Sequence, residues 1–204
     1  MTMQVQKVIE GIKTVTRREI LRDFRTDSCI ATTRAVIRIL KHFGITAYPL
    51  PVRVLIYNPG FVDALLRGDN PPLDEGPLFH AWCDRNKAWS VGVGVPVPGK
   101  VDGYEGHLIA ALPEQKIFID ASIDQAHRPQ HGIFFEGPIV GPLPENFKPE
   151  NSFVGLEFDS SNGCHMVYQP LENPRWRVSP DWVDKSRTKK AVKKTIEYIE
   201  AVAS

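Results

Sequence analysis

The spacing of apolar residues changes twice along the chain, and this limits the fold more than any single motif does. Val5, Val8, Ile9, Ile12, Val15, Ile20, Leu21 and Phe24 recur mostly at steps of three and four, which predicts an amphipathic helix from about Val5 to Phe24. A second helix is predicted from Ser28 to Phe43. Val36, Ile37, Leu40 and Phe43 form its apolar stripe, and Arg34, Arg38 and Lys41 lie opposite. Asp27 is the N-cap candidate and Gly44 the stop. The pattern then turns β-like. PVRVLIYNPG gives a strand over Val52 to Tyr57, and the short helix FVDALLRG follows. FHAWCD, AWSVGVGV, GHLIAAL, KIFIDAS, HMVYQPL and RWRV all read as strands. A Pro/Gly stretch, PVPGKVDGYEG, precedes GHLIAAL, and residues 128–165 read as loops with short strands. Ser179-Pro180-Asp181 starts a last helix that runs to about Val202. Helices, then strands, then a helix predict an α+β fold with a largely antiparallel sheet.

Size and charge narrow the functions open to such a fold. A chain of 204 residues fits one domain. With 25 Lys+Arg against 24 Asp+Glu, the net charge is +1, which gives no support for nucleic-acid binding. No apolar stretch reaches the roughly 18 residues of a membrane helix, and the first residues lack the apolar run of a signal peptide. A soluble, cytoplasmic protein is therefore expected. The three cysteines are too few for a disulfide framework, and an odd count leaves at least one thiol free in a monomer.

Cys29 stands at the predicted start of the second helix. Unpaired backbone N–H groups and the helix dipole favour a negative charge there, and the thiolate is the reactive form of cysteine. A base is then needed. His107 opens GHLIAAL and Asp120 lies in KIFID. If Leu112 pairs with Gln115 across the turn, His107 pairs with Asp120, and both side chains project from one face. The carboxylate would then orient the imidazole through one ring nitrogen and leave the other for the thiol.

The order of Cys at a helix start, His on a strand and Asp on the next strand resembles the transglutaminase-like branch of the papain-like superfamily. The residues that carry the resemblance are SCIATTRAVIRILKHFGITAYPLPVRV, GHLIAAL and KIFIDAS, within roughly residues 24–125. In that family the nucleophile helix ends in a "GI-A" turn that enters a strand. A 13-residue step from His to Asp, as found here, is also typical of it. The resemblance implies a papain-like fold, with the nucleophile helix packed on the antiparallel sheet, and one transglutaminase-like domain over 1–204. In that domain residues 60–105 would be an insertion and 180–203 the C-terminal helix. It also implies Cys29 as nucleophile, His107 as general base and acid, and Asp120 as orienting residue. The reaction would be acyl transfer from an amide, peptide or protein substrate to water or an amine, with no cofactor and no metal. The backbone N–H of Cys29 is one oxyanion donor. Papain-type enzymes carry a glutamine six residues before the cysteine, whereas here that position is Asp23.

Other arrangements compete with this one. FHAWCDRNKAW resembles the family's "HAW…W" strand pair and would make His80 the base. However, the positions 12 to 14 beyond it are Gly92, Val93 and Gly94, which supply no carboxylate. His80, Trp82 and Trp89 are better read as core or cleft wall. His80, Cys83, Cys164 and His165 have the chemistry of a zinc site but not its usual spacing. Gly92-Val93-Gly94 is not a nucleotide fingerprint. The basic run Lys185 to Lys194 reads as a solvated helix face. Trp176, Trp182 and Tyr198 read as packing of the last helix. A non-catalytic binding module on the same scaffold and a thiol redox protein are the alternative functions.

Overall fold

The structure, a computed structural model, describes residues 2–25, 27–72, 76–95, 104–148 and 155–203. It is α+β, with one antiparallel sheet. Part of the predicted Pro/Gly stretch (96–103) and of the loop region (149–154) lies outside the described residues.

The first helical rod is α1 (Met3–Gly11), a π-helical turn (Ile12–Thr16) and α2 (Arg17–Ile20). Of the predicted stripe, Val5, Val8, Ile9, Ile12, Val15 and Ile20 are buried, whereas Leu21 is exposed and Phe24 half-buried; Gly11, Thr16, Arg17 and Glu19 are buried as well. Gly11 lets this rod approach the last helix, since a Cβ there would come within 2.2 Å of the Ile199 side chain. The nucleophile-candidate helix α3 (Cys29–His42) ends at Gly44, which has a left-handed φ of 72°. Its N-cap position is Ser28 rather than Asp27, and no side chain caps it.

Strand β1 (Tyr48–Tyr57) is the centre of the sheet. It buries Leu50, Val52, Val54 and Ile56 on one face, by simple alternation. Strands β2 (Ser90–Val93), β3 (His107–Leu112), β4 (Ile117–Asp120), β5 (Ile139–Pro142), β6 (Leu156–Asp159) and β7 (His165–Pro170) complete the sheet. The order is β5-β4-β3-β1-β7-β6, with β2 also pairing with β1. One edge of β1 is shared between two partners: residues 48–52 bind β3, while residues 54–57 bind β2. The end of β2 and the start of β3 therefore abut. At this seam Gly94 (φ 72°) leaves no room for a Cβ, which would lie 2.4 Å from the Gly106 carbonyl carbon and 2.5 Å from the His107 nitrogen.

All six residues of β3 are buried, because both faces of this strand are covered. Ala110 and Leu112 pack with α1, α3 and α7 (Lys189–Ala203) in one core, while Ile109 and Ala111 pack with β1, β7 and the loops after β4 in a second. Strand β3 is thus clamped between α3 and the second core.

Three predicted elements differ. FHAWCD is not a strand. It lies in helix α5 (Pro77–Asn86), with Pro77 in the first turn and Phe79 stacked on Trp82 three residues later. The preceding α4 (Pro59–Leu66) packs against it, with Phe61 edge-on to Trp82. RWRV lies in a 3₁₀ segment (Pro174–Val178), because the Asn173 side chain accepts from the Arg175 N–H and starts a helical turn at Pro174. The last helix is broken in two, α6 (Pro180–Val183) and α7. Asp184 ends α6 in extended conformation, and its carboxylate accepts from both the Ser186 N–H and hydroxyl, a side-chain turn that competes with helix.

Candidate active site

His107 and Asp120 stand on neighbouring strands, but not directly opposite one another. The pairs Ala110–Ile119, Ala111–Phe118 and Leu112–Ile117 put the register two residues away from the predicted one. The turn is longer than two residues: Pro113–Gln115 form a 3₁₀ turn and Lys116 adopts φ 55°. Side chains alternate with a period of two, so a shift of two keeps His107 and Asp120 on one face as a diagonal pair. Both are fully buried. His107 Nε2 lies 2.9 and 2.8 Å from the two carboxylate oxygens of Asp120.

Burial alone makes an imidazolium harder to form. Here the Asp120 carboxylate outweighs that penalty through charge and hydrogen bonding, and Cys29 acts in the same direction. The His107 pKa is raised to about 10. The other ring nitrogen, Nδ1, is buried and completes no hydrogen bond. Cys29 is the other side chain that acts on this ring, and like Asp120 it favours the imidazolium. Cys29 is the first residue of α3, where the leading N–H groups have no acceptor within the helix. It is 7 % exposed and clusters with Ile30, Leu108 and Trp176, with Tyr104 and Trp182 packed alongside. Cys29, His107 and Asp120 are therefore brought together.

Two buried residues that the sequence reading passed over hold these groups. Arg17 reaches from α2 to the start of α3. Its Nε donates to both Asp124 oxygens at 2.8 and 3.0 Å, and its Nη1 to Ser28 Oγ (2.8 Å) and Thr32 Oγ1 (3.1 Å). The unfilled N-cap hydroxyl of Ser28 is thereby used as an acceptor for arginine. Tyr168 on β7 donates its hydroxyl to Asp120 Oδ2 at 3.0 Å, and the Ser122 N–H donates to Oδ1 at 3.1 Å. Burial, with Asp120 beside it, pushes the Tyr168 phenol well above its ordinary pKa, so it remains a donor. No local pattern signals either residue, although Arg17 sits inside the apolar stripe of the first helix at a position that ought to be apolar.

Tyr168→Phe removes only that hydroxyl. A hydrogen bond to a charged acceptor contributes about 1.5–3 kcal/mol. Urea unfolding at pH 7 is expected to show a loss of that size, with an unchanged denaturant slope.

The remaining candidates lie elsewhere. Cys83 packs with Phe61 and Trp82, and Cys164 is buried in the second core; burial pushes both thiols above the ordinary cysteine value. His80 is exposed on α5, and His165 pairs with Asp159 at 3.0 Å. The four zinc candidates do not converge, and among the described residues no group of three or more His, Cys, Asp or Glu is placed to hold a metal. Trp82 is core, as expected, with its Nε1 donating to Asp69, while Trp89 stacks on His131 with centroids 4.0 Å apart. Trp176 and Trp182 pack on each other beside Cys29 as well as on α3. Asp23 is exposed in the turn after α2. No helix among the described residues is long and apolar enough to cross a membrane. No family model, no curated protein and no solved structure matches the chain.

Proposed function

We propose that the protein is a cysteine-dependent acyl-transfer enzyme of the transglutaminase-like, papain-like kind, with Cys29 as nucleophile, His107 as base and acid, and Asp120 as orienting residue. The observation that supports this most is the division of labour on the imidazole. Asp120 occupies Nε2 with both oxygens, and the buried Nδ1 is left to the thiol at a helix start. An imidazolium beside the sulfur stabilises a thiolate. That thiolate attacks the carbonyl carbon of an amide or peptide, and its lone pair forms the C–S bond. The C–N bond breaks as the Nδ1 proton passes to the departing nitrogen. Neutral His107 then takes a proton from water or an amine, which displaces the sulfur and releases the product. The Cys29 N–H donates to the oxyanion. Substrates are peptides, proteins or small amides. A free thiol of this kind suits the reducing cytosol.

Alkylation tests the proposal without a known substrate. Iodoacetamide at neutral pH is expected to label Cys29 at least about tenfold faster than Cys83 or Cys164, whose thiols burial keeps protonated. His107→Ala should remove most of that advantage. Equal, slow labelling of all three would favour the non-catalytic scaffold, a reading that the near-complete cover over Cys29 supports.

A further inference from the structure

Against a net charge of only +1, one surface pocket is strongly basic. It has a volume of about 480 Å³ and lies where α3 meets the turn between α6 and α7. Arg34, Arg38, Lys41, His42 and Lys185 line it, with no acidic side chain in the lining. Ile37 and the half-buried Trp182 provide an apolar wall.

Each carboxylate nearby already has a partner. Asp181 pairs with Arg187 at 2.8 Å and Asp184 accepts from Ser186, although its charge also acts on Arg34; Glu200 pairs with the lining residue His42 at 3.2 Å. Lys41 and His42 fall in the last turn of α3, where cations answer the helix dipole. Arg34 and Arg38 sit further in, where no such explanation holds. Backbone carbonyls fix both of them: Arg34 donates to those of Asp181 and Val183 at 3.3 Å, and Arg38 to that of Lys185 at 2.8 Å. These bonds tether both side chains, and the Arg34 guanidinium also lies 6.0 Å from the centroid of the Trp182 ring. Burial, and then the charge of Arg38, make the Arg34 cation less favourable than usual, and the nearby Asp184 carboxylate offsets only part of this. Arg38 uses only its Nη1 in these bonds, so its Nε and Nη2 protons are available.

A fixed pair of guanidinium groups suits the oxygens of phosphate, which accept in pairs. The volume suits a small molecule rather than a single ion. We propose that this pocket binds a nucleotide-like ligand, its phosphates held by Arg34, Arg38, Lys41 and Lys185 and its planar ring resting on Ile37 and Trp182. The site lies on the side of α3 that carries Arg34, Arg38 and Lys41, borders the core at Ile37 and the Cys29 cluster at Trp182, and its charges do not depend on the chemistry proposed for Cys29.

The test is calorimetric titration of the full chain with ATP, tripolyphosphate and adenosine at low salt. Lys41 and Lys185 have exposed side chains, so Lys41→Glu/Lys185→Glu should fold as the parent does, to be checked by urea unfolding. ATP is expected to bind, more tightly than either fragment. The double charge reversal is expected to weaken it by at least about tenfold, and so is added salt. Absence of ATP binding, affinity unchanged in the charge-reversed protein, or tripolyphosphate binding as tightly as ATP would each overturn the proposal.

Discussion

Replacing Asp120 by alanine is expected to destabilise the protein by about 3–5 kcal/mol, because it strands one partner of a buried charge pair. The substitution removes both contacts to His107 Nε2 and leaves the Tyr168 hydroxyl and the Ser122 N–H without their acceptor. The pH dependence carries a second signature. A histidine whose pKa folding raises contributes its full stabilisation below the unfolded value, and loses it as pH climbs through the folded value. For His107 that interval runs from 6.5 to about 10. The urea midpoint of the parent protein should therefore fall across this range, and that of Asp120→Ala should fall much less. Parallel curves for the two proteins would mean that His107 is not charged in the folded state. The alkylation rate of Cys29 should drop as well, since the imidazolium beside the sulfur is lost.

Arg17→Met is expected to cost a comparable amount, about 3–5 kcal/mol, by a different route. Its loss uncovers the partly buried Asp124 carboxylate and removes the donor shared by Ser28 and Thr32. The double substitution Arg17→Met/Asp124→Leu replaces the ion pair by apolar volume, and should recover most of the stability. Neither variant keeps the donor to Ser28 at the start of α3, so in both Cys29 should react more slowly with iodoacetamide than in the parent. If the double variant regained the parent rate, Arg17 would serve folding alone and not the placement of the helix start.

How much of this could be read from the sequence depends on the distance over which each relation acts. The α3 helix and its stop were legible because they rest on neighbours within a few residues. His107 and Asp120 were placed on one face although the turn had been read two residues too short, since an even shift leaves alternation intact. An odd error would have separated them. FHAWCD reads as a strand because six residues, four of them apolar, carry too little period to distinguish strand from helix. In the structure Pro77 and the Phe79–Trp82 contact decide for helix. Tyr168 and Arg17 were missed for another reason. Tyr168 meets Asp120 from 48 residues away, and Arg17 meets Asp124 from 107 away. Tertiary pairing of that kind leaves no local mark, apart from a charged residue standing in an apolar stripe.

The divided edge of β1 has an evolutionary consequence. Gly94 and Gly106 touch, so the chain between them departs from and returns to one point beside His107. Doubling the length of such an excursion costs only roughly 0.6 kcal/mol in closure entropy. Its return leg is tied down, however: Tyr104 packs beside Cys29 and donates its hydroxyl to the His107 carbonyl at 3.3 Å, and Asn173 donates to the Glu105 carbonyl at 2.9 Å. Change at this seam is thus cheap in chain entropy on its outbound side and constrained on the side that leads into His107.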